Sequence, residues 1–417
     1  MNRTRYRKVA LLCTPHKLNR TRDDHAMAAP PELNDDAIAE IFLRLPPDEP
    51  ACLFRAALVS KPWRHIVSDP AFSCRFREFH RTPPLLGFLH NTAYRFGHGP
   101  VARFVPTTAA ASPFSRFNSA INGNPWWIAD CRHGRVLVRR NTDDVYIVWD
   151  PITGHREELH RPDIPHESYT VVVLCAVAGC DHRDCHGGPF HVLFLCTVGR
   201  PRLTMHVCVY SSTARAWGRP VSASTGSGAL IGLYYHCGAL IGDVYYCNLG
   251  VGDRIAKYQL GSHSLSMIDP PHIYDHPSLL MPNEDGSLGL AGIKNSTLHL
   301  WSMTVNPEGV AGWIQCRVIE LDKLMPTFDK GHWYRLSLDG FAEGVGVIYI
   351  TTYDEVFTLE LKSGCVRNLS EPGVCYHPIF PFMSFYTPGM ILGFQPSCNT
   401  RHSEFASGKL PLPVREQ

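Results

Sequence analysis

The chain has 417 residues, with 40 Lys+Arg set against 38 Asp+Glu. A net charge of +2 excludes a general phosphate binder, and 44% hydrophobic residues exclude disorder along the whole length. The longest apolar runs, residues 171–179 and 192–196, are far short of the ~18–20 residues of a membrane helix, so neither a membrane nor a nucleic acid is an expected partner. The apolar run nearest the start, residues 9–13, is shorter than the ~7–15 residues of a secretory core. The 15 cysteines, scattered through apolar segments at Cys175, Cys196 and Cys208, therefore read as reduced thiols. The expected location is the cytoplasm and/or nucleus.

Residues 1–26 hold Arg3, Arg5, Arg7, Lys8, Lys17, Arg20 and Arg22 against Asp23 and Asp24, and read as a disordered basic tail. A helical unit follows over residues 31–79. Asn34, Asp35 and Asp36 suit the start of a helix, and Ile38, Ile41, Phe42 and Leu45 fall on one apolar stripe. Pro46 and Pro47 end it. A second helix uses Leu53, Phe54, Ala57 and Leu58. Ser60 caps a third carrying Trp63, Ile66 and Val67, and a short amphipathic piece runs from Phe72 to Phe79. Helices this few and short cannot bury a secure core alone. Their apolar residues must pack on the chain's own β region or on another protein.

From about residue 84 to 395 the pattern is β, with apolar runs broken by Gly, Pro, Asn and Asp; residues 396–417 read as a second disordered tail. Runs at 135–139, 145–149, 170–177, 191–196, 204–210, 230–235, 243–247, 288–293, 297–305, 345–351 and 356–361 read as strands. A strand-turn-strand phrase recurs. Val145–Trp149 leads into Asp150–Gly154, Val207–Tyr210 into Ser211–Arg215, Ile255–Tyr258 into Gln259–His263, and Val356–Leu359 into Glu360–Gly364. Copies ~40–50 residues apart, with insertions, suit four-stranded propeller blades that must stack to cover both faces. A pair of β-sandwiches is the alternative. The fold class expected is multidomain α+β: a short all-α unit followed by a large all-β, propeller-like domain.

Two halves of the helical unit carry a family resemblance. Leu33, Asp36, Ile38, Ile41, Phe42, Arg44, Leu45 and Pro46, followed by Leu58, Val59, Ser60, Lys61, Trp63, Arg64, Ile66, Asp69, Pro70 and Phe72, stand as in an F-box. The β part resembles the kelch-like, F-box-associated propellers of plant F-box proteins, on the phrase Asp150-Pro151, Thr153, Glu158-Leu159. Two positions depart: Asn34 stands where the family usually has Pro, and Ser60 where it has Cys. The resemblance implies the substrate-recognition subunit of a Skp–cullin–F-box (SCF) ubiquitin ligase. It implies a Skp-type adaptor on Leu33, Ile38, Ile41, Leu45, Pro46, Leu58, Val59 and Trp63, a cullin scaffold beyond it, and a protein substrate on the β domain. A scaffold or inhibitor acting outside degradation is the alternative, and an enzyme on a propeller a weaker one.

Other clusters carry less. Cys180, His182, Cys185 and His186 are the densest set of metal-ligating residues, but they lack paired knuckles and read as a polar loop, so no metal or cofactor is expected. The triplet His182-Arg183-Asp184 lacks the other kinase motifs, and neither Gly-x-Ser-x-Gly nor a Walker loop occurs. A non-catalytic protein is expected. Trp126 and Trp127 would point to opposite faces of a strand, one into the core. The longest connections, about 178–190, 270–287 and 322–337, are the expected partner loops, with Tyr274 and Trp333 as substrate contacts.

Overall fold

The structure, a computed structural model, describes residues 33–391 except 93–100, 108–125, 141–143, 200–202, 226–237, 250–253, 272–277, 306–307, 309–310, 326–335, 353–354, 372–373 and 375. The basic tail, the C-terminal tail, the run at 230–235, Tyr274 and Trp333 lie outside the described residues.

Four helices come first: α1 (Asp35–Leu43), α2 (Ala51–Val59), α3 (Lys61–Ser68) and α4 (Pro70–His80). The chain then enters β1 (Leu85–Thr92) and β2 (Val101–Pro106). Five antiparallel sheets follow in order. The first holds β3 (Trp126–Arg132), β4 (Arg135–Arg140), β5 (Val145–Trp149) and β6 (Arg156–His160). The second holds β7 (Ser168–Cys175), β8 (Phe190–Val198) and β9 (Thr204–Ser211), with β10 (Ala216–Trp217) and β11 (Val221–Ser224) both paired to β9. The third is β12 (Gly238–Ile241), β13 (Val244–Asn248), β14 (Ile255–Gln259) and β15 (Ser264–Ile268). The fourth is β16 (Leu279–Pro282), β17 (Leu288–Lys294), β18 (Thr297–Val305) and β19 (Ala311–Glu320), trailed by a short α5 (Leu321–Leu324). The fifth is β20 (Ser337–Ala342), β21 (Val347–Thr351), β22 (Val356–Glu360) and β23 (Val366–Asn368). β24 (Tyr376–Met383) then returns to pair with β1, completing a sixth sheet of order β2-β1-β24, and α6 (Pro388–Ile391) follows.

The sheets form a closed six-bladed propeller. β24 packs beside β3 on one side and β20 on the other, β3 beside β7, β12 beside β16, and β16 beside β20. The buried apolar residues divide accordingly into one core per blade junction. Leu89, Ile128 and Phe382 join the sixth and first blades, and Tyr146 and Phe194 the first and second. Met205 and Tyr258 fill the next junction, Ile255 and Leu290 the one after, then Leu300 and Ile350, and finally Tyr349 and Phe88. Six cores at six junctions exclude the β-sandwich alternative. They also explain the apolar runs: a strand covered on both faces has no polar side, so β5 is buried at every position. In β18, Leu298 and Leu300 serve one junction while Trp301 and Met303 serve the other.

Topology sets two faces. The first-to-second connections (133–134, 176–189, 242–243, 283–287, 343–346) and the third-to-fourth turns lie on one face. The second-to-third and blade-to-blade connections lie on the other. Leu85 pairs with Met383, so the helical unit joins the first face, where β1 begins and β24 ends.

Candidate functional site

Three of the four helix starts use a capping residue the sequence offers, while α2 begins after Pro50 without a side-chain cap. The Asn34 side chain accepts from the Ala37 N–H at 2.8 Å, Ser60 from Trp63 N–H at 3.3 Å, and Asp69 from Ala71 N–H at 2.9 Å. The two departures from the F-box pattern, Asn34 and Ser60, thus both serve as caps. The last piece is longer than the sequence suggests, because Asp69 and Pro70 start it two residues early.

The helices pack on one another through Phe42, Leu43, Leu53, Ala56, Val67, Phe72 and Phe76. Phe385, which follows β24, completes this core. Tyr386 meets Phe54 at 4.9 Å between ring centres, and Ser73 and Thr387 share a 2.9 Å hydroxyl contact. Gly389 lies so close to Ser68 that a Cβ would stand 2.9 Å from its carbonyl oxygen. The chain's own C-terminal segment therefore supplies the buried surface that four short helices lack. The expected stripe on α1 divides: Phe42 is buried, Ile38 and Leu45 are half-buried against the helical core, and Ile41 faces solvent. Trp63 is half-buried too, edge-on to Phe42 at 5.2 Å. Leu33, Leu58 and Val59 remain exposed, at 61%, 85% and 64%, with Ile41 at 51%; Pro46 is also exposed.

Beneath the helices the loop 176–189 joins the two units. Arg77 of α4, almost wholly buried, pairs with Asp184 at 2.8 Å. His186 bridges Asp150 at 2.7 Å and Ser384 at 2.9 Å through its two ring nitrogens. Burial alone would raise the Asp150 carboxyl, but the bonds from His186 and Thr153 outweigh it and hold it low. Of the three long connections, this one lies on the helix side. The strand ends beside the other two, at Ile268 and Leu279 and at Glu320 and Ser337, open to the opposite face. His186 is committed to Asp150 and Ser384, so it does not join Cys180, His182 and Cys185; Cys175, at the end of β7, does.

A cavity of about 330 Å³ runs along the ring axis, lined by Asp130, Arg132, Gly238, Leu280 and Glu343 among others. Arg132 lies 3.4 Å from both Asp130 and Glu343 and over the Tyr245 ring. Burial would lower its guanidinium, but these neighbours hold it above its ordinary value. Asp130 also accepts from Val173 N–H at 2.9 Å and so ties the first blade to the second. Asp130 and Glu343 both face this buried cation, and Thr82, Cys131, His133 and His182 also line the cavity. Trp126 is buried and Trp127 half-buried, on opposite faces of β3.

A four-helix unit with an outward apolar face, fused to a six-bladed propeller, defines an F-box protein with a C-terminal β-propeller. The F-box domain family matches residues 31–75, and the family described as "F-box protein AT5G49610-like, beta-propeller" matches residues 127–390. The chain belongs to this second family. It is 24% identical over 294 residues to the F-box protein At5g03970 of Arabidopsis thaliana, spanning 65% of each chain. The chain thus covers just under two thirds of that relative's length. Among solved structures it is similar to a nidogen/laminin complex chain (TM-score 0.40, 10% identity, covering 72% of this chain and 98% of that one). It is also similar to a quinonprotein alcohol dehydrogenase-like protein of Bacteroides thetaiotaomicron (TM-score 0.38, 10% identity, covering 71% and 78%).

Proposed function

We propose that this chain is the substrate-recognition subunit of an SCF-type ubiquitin ligase, acting without catalysis of its own in the cytoplasm or nucleus. Its F-box would hold a Skp-type adaptor, and through it a cullin scaffold. One observation carries the reading. The helical unit already has its inner face filled by Phe385 and Tyr386, yet Leu33, Ile41, Leu58 and Val59 stand in solvent on its outside. An apolar face left over after the core is complete marks an interaction site. Among the eight adaptor contacts expected from sequence, these four and Pro46 would carry the interface. Ile38, Leu45 and Trp63 would act mainly by holding the helices together.

Substrate would be taken on the propeller face opposite the helices, where the adaptor does not reach. The test is co-purification of the full chain with a Skp-type adaptor, followed by ubiquitination of captured partners in a reconstituted ligase. Failure to hold the adaptor would reject the reading. Adaptor binding with no ubiquitination of any captured partner would favour the scaffold alternative.

A further inference from the structure

We propose that Cys175, Cys180, His182 and Cys185 form a structural zinc site where the loop 176–189 leaves β7. Their ligand atoms all lie within 4.8 Å of one another. The Cys180 and Cys185 sulfurs are 3.7 Å apart, and the Cys185 sulfur is 3.6 Å from Nδ1 of His182. A tetrahedral zinc with Zn–S near ~2.3 Å and Zn–N near ~2.0 Å places sulfurs about 3.8 Å apart and sulfur and nitrogen about 3.5 Å apart. The same 3.7 Å is far beyond the ~2.05 Å of a disulfide. Three sulfurs and one imidazole in a tetrahedron select zinc over harder cations.

The surroundings are those of a held ligand set. The backbone N–H of His182 points at the Cys180 sulfur, 3.4 Å away. The His133 ring stacks on His182 at 3.8 Å and 7°, and the Cys175 N–H donates to His133 Nδ1 at 3.3 Å, so both ligands are oriented from behind. His182 itself sits at φ 56°, a left-handed conformation that a non-glycine residue adopts at a cost. Arg135 is buried, lies over the Phe190 ring and donates to the Cys185 and Gly188 carbonyls, while its Nη1 has no hydrogen-bond partner among the described residues. Binding exchanges three thiol protons for one Zn²⁺ and leaves the site with one net negative charge. That charge gives the buried guanidinium its counterpart. The bound loop then presents Asp184 to Arg77 and His186 to Asp150 and Ser384, so the metal fixes the join between helices and propeller.

The full chain, purified with its adaptor or alone, should carry one equivalent of zinc. Cobalt exchanged into it should give the intense visible bands of tetrahedral thiolate coordination. Cys175→Ser and Cys180→Ser should each abolish stoichiometric binding, whereas His186→Gln, which alters the excluded neighbour, and Cys365→Ser, an exposed thiol, should retain it. His182→Cys should retain it as well, because the donor is replaced rather than removed. Chelation should speed proteolysis within 176–189. A metal-free protein whose thermal melt does not move on adding zinc would overturn the proposal. So would a Cys180–Cys185 disulfide in the reduced-handled protein, or metal retained in Cys175→Ser and lost in His186→Gln. Adaptor binding is a separate readout, so failure here leaves the ligase reading standing.

Discussion

At the scale of single residues, exposure separates side chains that the sequence places together. Ile41 and Leu45 sit on one predicted stripe, yet Ile41 faces water and Leu45 packs on the helical core. Ile41→Asp and Leu58→Asp should therefore change stability by no more than about 0.5 kcal/mol, as surface substitutions do. Adaptor capture should fall at least about tenfold, the effect of losing about 1.4 kcal/mol of binding. Leu45→Asp should instead lower the melting temperature, because it pushes a charge into apolar packing. A folded Leu58→Asp variant that captures adaptor normally would refute the assignment of this face. His90 makes a second prediction. It is buried between Phe88 and Tyr376, and burial with Arg103 nearby lowers its pKa to about 4. The unfolded chain takes up this proton near pH 6.5 and the folded one does not until about pH 4. Stability is thus full above pH 6.5 and is lost as pH falls towards 4, by about 1.4 kcal/mol per pH unit for this group. His80 and His133 are lowered by burial too and add in the same direction. His90→Phe should make the urea midpoint less dependent on pH between 6.5 and 4; an unchanged dependence would assign the slope elsewhere.

At the scale of elements, the recurring phrase read in the sequence is the hairpin of third strand, turn and fourth strand. It appears as β5–β6, β9–β10, β14–β15 and β22–β23. The fifth residue of each turn is left-handed: Gly154 at φ 77°, Arg215 at 51°, His263 at 50° and Gly364 at 71°. Two glycines meet this geometry without strain, and two other residues bear it. His263 has a return, a 2.8 Å contact between its Nδ1 and the Tyr258 hydroxyl. Gly364 has open space around it, so Gly364→Ala should cost only the backbone term, about 1 kcal/mol. Arg215→Gly should raise stability by about 0.5 kcal/mol once the added chain entropy is subtracted from the relief of strain. Denaturation midpoints that move the same way in both variants would contradict this.

These hairpins were legible because their turns are local, and so were the capped helices. Several strands were not, among them β19 and β24. β19 is exposed along most of its length and shows no apolar alternation, since it is the outer edge of its blade. β24 contains Pro378 and Pro381, which argue against a strand until its partner β1, far back in the sequence, is known. The membership of the cysteine cluster was hidden for a similar reason. His186 stands beside Cys185 in sequence but is taken by Asp150 and Ser384. The residue that joins the cluster instead is Cys175, half-buried at the end of what reads as an ordinary apolar strand.

At the scale of the molecule, the two ends of the described chain hold each other. β24 enters the ring between β20 and β3, and the segment that leaves it carries Phe385, Thr387 and Gly389 into the helical unit. Ring closure and helix packing therefore draw on adjoining parts of one segment, but the two partners differ in reserve. The propeller has six junction cores, whereas the helices share a single small one. Phe385→Ala removes a fully buried aromatic from that small core, a loss of about 3–5 kcal/mol. β24 keeps its pairing with β1 in this variant, so the ring should stay closed. Amide exchange should accelerate across α1–α4 and remain slow in the blades. Adaptor affinity should fall although Phe385 lies on the inner side of the helices, and saturating adaptor should restore protection, because a partner that binds only the folded unit pulls the equilibrium back. Slow exchange throughout α1–α4 in the Phe385→Ala chain would show that the helices are stable without the C-terminal segment.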